Sequence, residues 1–487
     1  MSGLADIVSA LERAQLLVDV PDLHTWPVIT GLTADSRKVT TGMLYCAVRG
    51  SVQDGHEFVE AARERGAAAA LVEREQPADL PQILVRDGRR AAAVAAETWY
   101  GRPAAKLDLV GVTGTNGKTT TVTLLRHVLG EALEPMGSIG TLGAVDAAGA
   151  AVPSEAGNLT TPGPIDLQAT LAALVERGAR GVAMEVSSHS LDQGRLDGLV
   201  FRAGVFTNLT RDHLDYHKTL EDYFRAKAKM IGYLASDGLE VVNADDPAWQ
   251  RLRRDHRRVT FGERSGDVTA RRVTLDGAGG GARFELATPT GSAAVRLPLL
   301  GRFNVANALG VAACAWGLGV PVETIADLLT RAPQVPGRME RIAERPCLVL
   351  RDYAHTPDAL ERALETLRSL TRGRLIVVFG AGGDRDRGKR APMGEVCARL
   401  ADVAIVTSDN PRTEDPERII DEVEAGMRGK PYERVVDRRK AIARALELAR
   451  AGDSILLAGK GHETYQVVGT EKQPFDERAI VKELGGT

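Results

Sequence analysis

The sequence predicts an α/β protein of three domains, two of them built on parallel sheets. Three observations predict it. The chain has 487 residues, more than one hydrophobic core holds and enough for roughly three domains of ordinary size. Short apolar runs alternate with stretches of helical periodicity along most of its length. Near the C-terminus four apolar runs each lead straight into a polar cluster, as buried parallel strands do when they deliver ligand loops to one edge of a sheet.

Composition excludes several classes of function. The formal charge is −3, from 62 basic and 65 acidic residues, which calls for neither a nucleic acid nor a membrane surface. Cys46, Cys314, Cys347 and Cys397 are scattered without C-x-x-C spacing, so neither a zinc site nor a disulfide framework is indicated. They read as buried thiols in a reducing compartment. The first 18 residues lack a basic leader and space their apolar positions as an amphipathic helix would. No stretch approaches the roughly 18 to 20 apolar residues that span a bilayer. A cytoplasmic protein is expected.

Taken in order, Leu44 to Val48, Ala68 to Val72 and Ile83 to Val85 are expected strands, with Phe58 to Arg65 helical between them. This first α/β domain is placed at 1–102, ending at Tyr100-Gly101-Arg102-Pro103. A second domain, 103–335, opens with an apolar run and a glycine turn and continues through expected strands at Gly181 to Val186, Gly204 to Thr207 and Gly238 to Asn243. Residues 267 to 300 alternate apolar with polar and are expected to form hairpins, with Gly277 to Gly281 as a turn. Pro333 and Pro336 interrupt helical periodicity and mark the next boundary. The third domain, 336–487, carries the four strand candidates CLVLRDYAH, RLIVVFGAGGDRDR, ADVAIVTSDNPR and DSILLAGKGHE, whose clusters are expected to face one crevice.

The glycine turn is the most specific single motif. LDLVGVTGTNGKTTTVTLLRHVLG, from Leu107 to Gly130, reads as strand, turn and helix around Gly-Lys-Thr. Backbone N–H groups of such a turn and the helix N-terminus hold phosphate oxygens; Lys118 reaches the β- and γ-phosphates and the Thr119 hydroxyl suits Mg²⁺. ATP is the expected nucleotide. The match departs from a strict P-loop at Val112, where the pattern wants its first glycine. Glu185, closing one strand, and His213, beyond the next, add a carboxylate and an imidazole suited to Mg²⁺ beside ATP, or else hydrogen-bonded core polars.

Together, TGTNGKTTT, EVSSH, NLTRDHLDYH, YFRAK, GRFNVANAL, PGRME, DYAHTPDAL, GGDRDRGKR, DNPR and GKGHE resemble the Mur ligases of peptidoglycan synthesis, in family order over nearly the whole chain. The resemblance implies a central P-loop-type parallel-sheet ATPase domain, a C-terminal Rossmann-like domain and an N-terminal UDP-binding α/β domain. It implies an ATP-dependent ligase joining meso-diaminopimelate to the D-Glu γ-carboxylate of UDP-MurNAc-L-Ala-D-Glu through an acyl phosphate, with small-molecule substrates only; a monomer is expected. Lys118, Glu185, His213 and Lys227 would be the catalytic set. ATP would meet Gly114, Thr115, Asn116, Gly117, Lys118, Thr119, Thr120, Asn304, Asn307, Arg338, Asp352 and His355. Mg²⁺ would draw on Thr119, Glu185, His213 and Lys227, the last as N6-carboxylysine. Read alone, Lys227 is a solvated helix lysine and the asparagine pair caps or packs a helix.

Ser36, in the turn Asp35-Ser36-Arg37, would meet the uridine diphosphate, the alternative being a plain turn with a salt-bridged arginine. Thr160, Thr161, Ser187, Gln193 and Arg195 would hold the muramyl dipeptide. Arg385, Asp409, Asn410, Pro411, Arg412, Gly459 and Glu463 would hold diaminopimelate. An arginine fork binds a distal carboxylate bidentately and repels the bare ammonium of lysine. The alternative for Arg412 is a loop arginine paired with Glu414 or Asp415. The same reaction with L-lysine, a folate polyglutamate ligase and a non-catalytic ATP-binding regulator compete with this reading.

Overall fold

A computed structural model describes residues 3–22, 25–50, 53–154, 159–276 and 280–487. They form two compact units, residues 1–269 with 307–325, and residues 270–306 with 326–487.

The first unit begins with a five-stranded sheet in the order Leu17–Asp19, Gln82–Val85, Ala69–Val72, Met43–Cys46, Gly31–Thr33. All neighbours are parallel except the first pair. Helix Leu4–Arg13 buries Leu4, Ile7, Ala10 and Leu11, one stripe at helical spacing, against this sheet. The stretch expected to be helical from Phe58 starts one residue later, at Val59–Glu64, because Asp54 caps a preceding 3₁₀ turn, Gly55–Phe58. Ile165, from helix Pro164–Glu176, reaches into this same core.

The central sheet is built around strand Asp108–Thr113, flanked in parallel by Gly181–Glu185 and Phe201–Phe206. Met136–Gly140 extends it on one side and Leu234–Asn243 with Arg257–Gly262 on the other. Buried on both faces, these strands are the continuous apolar runs read from sequence; the second and third start earlier than expected, at Phe201 and Leu234. Val112 is fully buried inside its strand, so the phosphate turn opens only at Gly114, where φ is +144°. That is the physical reason for the departure from the strict motif.

Over 267–300, where hairpins are expected, Val268–Asp276, Gly281–Thr288 and Gly291–Leu297 lie side by side in that order in the sheet. Val268–Asp276 joins Arg257–Gly262 in parallel, through Val268 and Thr269. Gly281–Thr288 and Gly291–Leu297 do form an antiparallel hairpin. The turn expected at 277–281 falls largely outside the described residues.

The second unit carries a six-stranded sheet in the order Glu340–Ala343, Leu348–Asp352, Ser454–Ala458, Leu375–Phe379, Val403–Val406, Glu433–Arg434. Only the first strand is antiparallel. The four runs expected to end in ligand loops are therefore its four adjacent central strands, parallel and in register. Helices Pro357–Leu370, Arg390–Leu400 and Pro416–Glu424 cover one face, and Arg438–Leu448 with Glu477–Glu483 the other. No helix among the described residues is long and apolar enough to cross a membrane.

Candidate active site

In the first unit the phosphate turn is held from beneath by the end of a neighbouring strand. Asn208 Oδ1 accepts from the Asn116 N–H at 2.9 Å, and Asn208 O accepts from the Thr115 N–H at 2.7 Å. Thr207 Oγ1 donates to Asn116 O at 2.7 Å. The turn has no room for side chains: a Cβ on Gly114 would stand 1.9 Å from Thr207 Oγ1, and one on Gly117, where φ is +87°, 2.3 Å from Asn307 Oδ1. Gly117 ends the turn as the N-cap of helix Lys118–Ala132. Backbone donors at a helix N-terminus with a glycine-tight approach are what a triphosphate needs. Lys118 Nζ lies over the turn, donating to Gly114 O at 2.9 Å and Thr115 O at 2.8 Å.

Lys227 is not a solvated lysine. It is 1% exposed, and its Nζ donates to Gly114 O at 2.8 Å while lying 4.5 Å from the centre of the Tyr223 ring. Burial, reinforced by Lys118, pushes its pKa well below the ordinary lysine value. Tyr216, His189, His213, His217 and Tyr223 form a ring stack alongside, with His189 and His213 centroids 4.9 Å apart. His213 holds a left-handed backbone, φ +52°, and its imidazole pKa is lowered, by burial first and also by Lys118 and Lys227.

Glu185 closes its strand with the carboxylate 2% exposed, taking the Thr141 N–H at 2.8 Å and the Thr141 hydroxyl at 3.2 Å. The expectation of a hydrogen-bonded core polar describes its contacts, and both donors are neutral. Among the described residues no three His, Cys, Asp or Glu side chains gather as a metal cage. Thr119, Glu185 and His213 carry a hydroxyl, a carboxylate and an imidazole that could serve a nucleotide-bound Mg²⁺, which takes few protein ligands and completes its shell with phosphate oxygens and water.

Thr161, 1% exposed, donates to Glu185 O at 2.9 Å and accepts from the Ser187 N–H at 3.2 Å. Thr160 and Thr141 hydroxyls lie 3.3 Å apart. Arg195 donates twice to Gln193 Oε1, at 2.9 and 2.6 Å, and to Thr161 O at 3.1 Å. These five residues therefore share one surface with Glu185. Ser36 starts a 3₁₀ turn capped by Asp35, and Arg37 pairs with Asp35 at 2.8 Å, the plain-turn alternative in its contacts. Asn307 lies against Gly117.

The second unit places Asp352, His355, Arg385, Asp409, Asn410, Arg412, Gly459 and Glu463 in the segments that close or follow its parallel strands. Asn304 donates to Leu300 O at 2.7 Å, the packing role given as its alternative. Asp352 accepts from the Met339 N–H at 2.6 Å, and burial raises its pKa against the pull of Arg338, whose guanidinium lies 4.9 Å from the Tyr353 ring centre. His355 Nδ1 lies 2.7 Å from Tyr353 O, and burial lowers its pKa.

Two charged loops here are clasped together. Asp384 accepts from the Thr413 N–H at 3.0 Å and its hydroxyl at 2.9 Å, and the buried Arg390 donates to Glu414 at 2.8 and 3.0 Å. Glu414 is thus committed elsewhere and does not pair with Arg412. Arg412, at φ +52°, donates through Nη1 to Gly383 O at 2.7 Å. Asn410 donates to Glu463 Oε2 at 2.9 Å, and Gly459, at φ +113°, lets Asp409 Oδ2 approach to 2.4 Å from where a Cβ would stand. Arg385 is exposed at the rim, donating to Asp384 O at 3.0 Å. Sequence reasoning missed Thr207, Asn208, Thr141, Tyr223 and Lys460. Asn208, Tyr223 and Lys460 lay inside quoted motifs and Thr207 closed an expected strand, the only signals for them.

Three family models match in order: "Mur ligase family, catalytic domain" over residues 28–100, "Mur ligase middle domain" over 112–315 and "Mur ligase, glutamate ligase domain" over 337–461. The chain belongs to the Mur ligase family. Among its relatives, the UDP-N-acetylmuramoyl-L-alanyl-D-glutamate–2,6-diaminopimelate ligase of Geobacillus kaustophilus is 45% identical over 475 residues, covering 94% of this chain and 96% of that one. The protein of the same name from Chlorobaculum tepidum is 46% identical over 474 residues, 93% and 92% of the two chains. A solved structure of a ligase of that name superposes with a TM-score of 0.64 at 34% identity, covering 96% of each chain. MurF from Acinetobacter baumannii, at 22% identity and TM-score 0.65 over 93% and 95% of the chains, shares the three-domain α/β fold.

Proposed function

We infer that this chain is the ATP-dependent amide ligase that adds meso-diaminopimelate to UDP-MurNAc-L-Ala-D-Glu in peptidoglycan precursor synthesis. The observation that carries this reading is the presence of the Arg412 guanidinium and the Glu463 carboxylate in the loops that follow the two parallel strands flanking Leu375–Phe379. They are complements to a side chain ending in both a carboxylate and an ammonium. The domains are assigned to 1–102, 103–335 and 336–487, and the protein to the cytoplasm as a monomer without nucleic-acid partners.

A γ-carboxylate oxygen of the D-Glu unit attacks the γ-phosphorus of ATP, ADP leaves, and an acyl phosphate remains. The amine of the incoming amino acid then attacks the acyl carbon, loses a proton and expels inorganic phosphate. Neither step needs a covalent nucleophile from the protein; both need charge neutralised on the moving phosphoryl group. The Gly114–Thr120 turn cradles the phosphates, and Lys118 leaves the turn carbonyls to follow the γ-phosphoryl. Asn307 lies against the turn, while Asn304, Arg338, Asp352 and His355 are assigned to the nucleotide by the family motifs. Thr160, Thr161, Ser187, Gln193 and Arg195 orient the dipeptide, and Ser36 its uridine diphosphate.

Mg²⁺, held by Thr119, Glu185 and His213, would withdraw charge from the phosphoryl oxygens. Lys227 joins this set as N6-carboxylysine. A fully buried ammonium beside Lys118 is unfavourable, and the neutral amine adds CO₂ to give a carbamate with loss of one proton, turning a repelled cation into an anion.

Phosphate release from ATP with Mg²⁺ and UDP-MurNAc-L-Ala-D-Glu tests the function, comparing meso-diaminopimelate, L-lysine and no amino acid. Release that depends on diaminopimelate is expected. Release with lysine alone overturns the specificity, and no release with either overturns the ligase reading.

A further inference from the structure

Lys460 lies among the amino-acid loops with its side chain 0% exposed. Its ammonium donates to Asn410 Oδ1 at 3.0 Å and Glu463 Oε2 at 3.1 Å, and stands 3.6 Å from Asp409 Oδ1. A lysine buried this completely is rare without carboxylate partners, and here it has two. Being out of reach of solvent, it acts on a bound molecule only through the groups it holds.

What it holds is the acceptor for the distal ammonium. Asn410 Oδ1 also takes the Val467 N–H at 2.9 Å, so the amide cannot turn over and Nδ2 stays aimed at Glu463 Oε2. Both side-chain donors to the Glu463 carboxylate among the described residues therefore fall on Oε2, leaving Oε1 to accept from a ligand. Asp409 Oδ1 is buried without a hydrogen-bond partner, and the Lys460 ammonium stands 3.6 Å from it, with Lys389 also acting on Asp409. Without the ammonium, two carboxylates would share a buried site, and their repulsion would turn Glu463 away.

We propose that Lys460 is a positioning residue that sets the orientation of Glu463 and, through it, the selection of an amino acid whose side chain ends in an ammonium beside a carboxylate. This rests on the reading of these loops as the amino-acid pocket. No proton or group is transferred to Lys460 in this role, and Arg412 supplies the complementary contact to the carboxylate.

The test uses the full chain with ATP, Mg²⁺ and the muramyl dipeptide, following phosphate release at varied diaminopimelate and varied ATP. Lys460→Met is expected to raise the KM for diaminopimelate about tenfold or more, with the KM for ATP changed less than about twofold. Lys460→Arg, which returns the charge, should recover part of that loss. Lys460→Met combined with Glu463→Gln should be no worse than Glu463→Gln alone, because both remove one contact. Losses that add in the double variant, or fall equally on ATP and diaminopimelate, overturn the proposal. Should Lys460→Met not fold, Asn410→Ala removes the other clamp on Glu463 and must show the same KM split; an even loss there overturns it too. A wild-type chain inactive with diaminopimelate is a separate result that overturns the function before any variant is made.

Discussion

On the proposed function, replacing Arg412 should separate recognition of the distal carboxylate from the chemistry. The guanidinium spends Nη1 on Gly383 O at 2.7 Å, with Asn410 O further off at 3.5 Å, and the described residues show no side-chain hydrogen bond from Nε or Nη2. That edge is the one that binds a carboxylate bidentately. Two charge-assisted hydrogen bonds in a partly buried site are together worth about 2 to 4 kcal/mol, which is about 30- to 700-fold in kcat/KM. Arg412→Ala should therefore lower kcat/KM for diaminopimelate by that factor, with the KM for ATP nearly unchanged. Arg412→Lys should recover little, since an ammonium supplies charge without the fork. Activity with L-lysine, which has no distal carboxylate, should fall far less, narrowing the ratio between the two amino acids. Steady-state phosphate release at varied concentrations of each substrate measures all three. The same loss for both amino acids, or for ATP, would remove Arg412 from the pocket.

Three further outcomes are expected. Lys227→Ala should abolish turnover while Lys227→Glu, or short carboxylic acids added to Lys227→Ala, restores part of it; full activity in Lys227→Ala would end the carbamate assignment. Arg438→Met should destabilise the second unit by about 3 to 5 kcal/mol, because Glu477, 0% exposed and paired with Arg438 at 2.8 Å, would be left as a buried lone charge. Adding Glu477→Leu should return most of that in thermal unfolding, and an unshifted Arg438→Met melt would refute the reasoning. His189 is pushed down to about 4 by burial first and then by His213, His217 and Arg195. Its folded pKa lies below its unfolded value near 6.5, so the unfolded chain takes the proton first and stability falls as pH drops from about 6.5 towards about 4. Urea midpoints over that range should slope less in His189→Gln than in the wild type, and equal slopes would discard this source.

Much of the site was legible because its chemistry is local in sequence. A glycine turn between an apolar strand and a helix builds a phosphate cradle from consecutive backbone groups, so TGTNGKTTT announces it without knowledge of the fold. The same holds for strand ends. Buried parallel strands must be apolar throughout, and the polar residues that follow must emerge at one edge, which placed Asp352, Asp409 and Glu463 together before any coordinates did.

Other features needed tertiary structure because burial and pairing are set by residues far away in the chain. Lys227 sits at a helical position where sequence expects solvent, and only its 2.8 Å contact with Gly114, 113 residues distant, shows an amine held in the interior. Glu414, two residues from Arg412 and a plausible partner for it, is claimed instead by Arg390, which frees the Arg412 fork. Lys460 looks like one more loop cation until Asn410 and Glu463, 50 and 3 residues away, close around it. Backbone-made features are therefore written in local patterns, because each peptide carries its own donor and acceptor. The charge state and aim of a side chain depend on its dielectric surroundings and on partners that only the folded chain brings near.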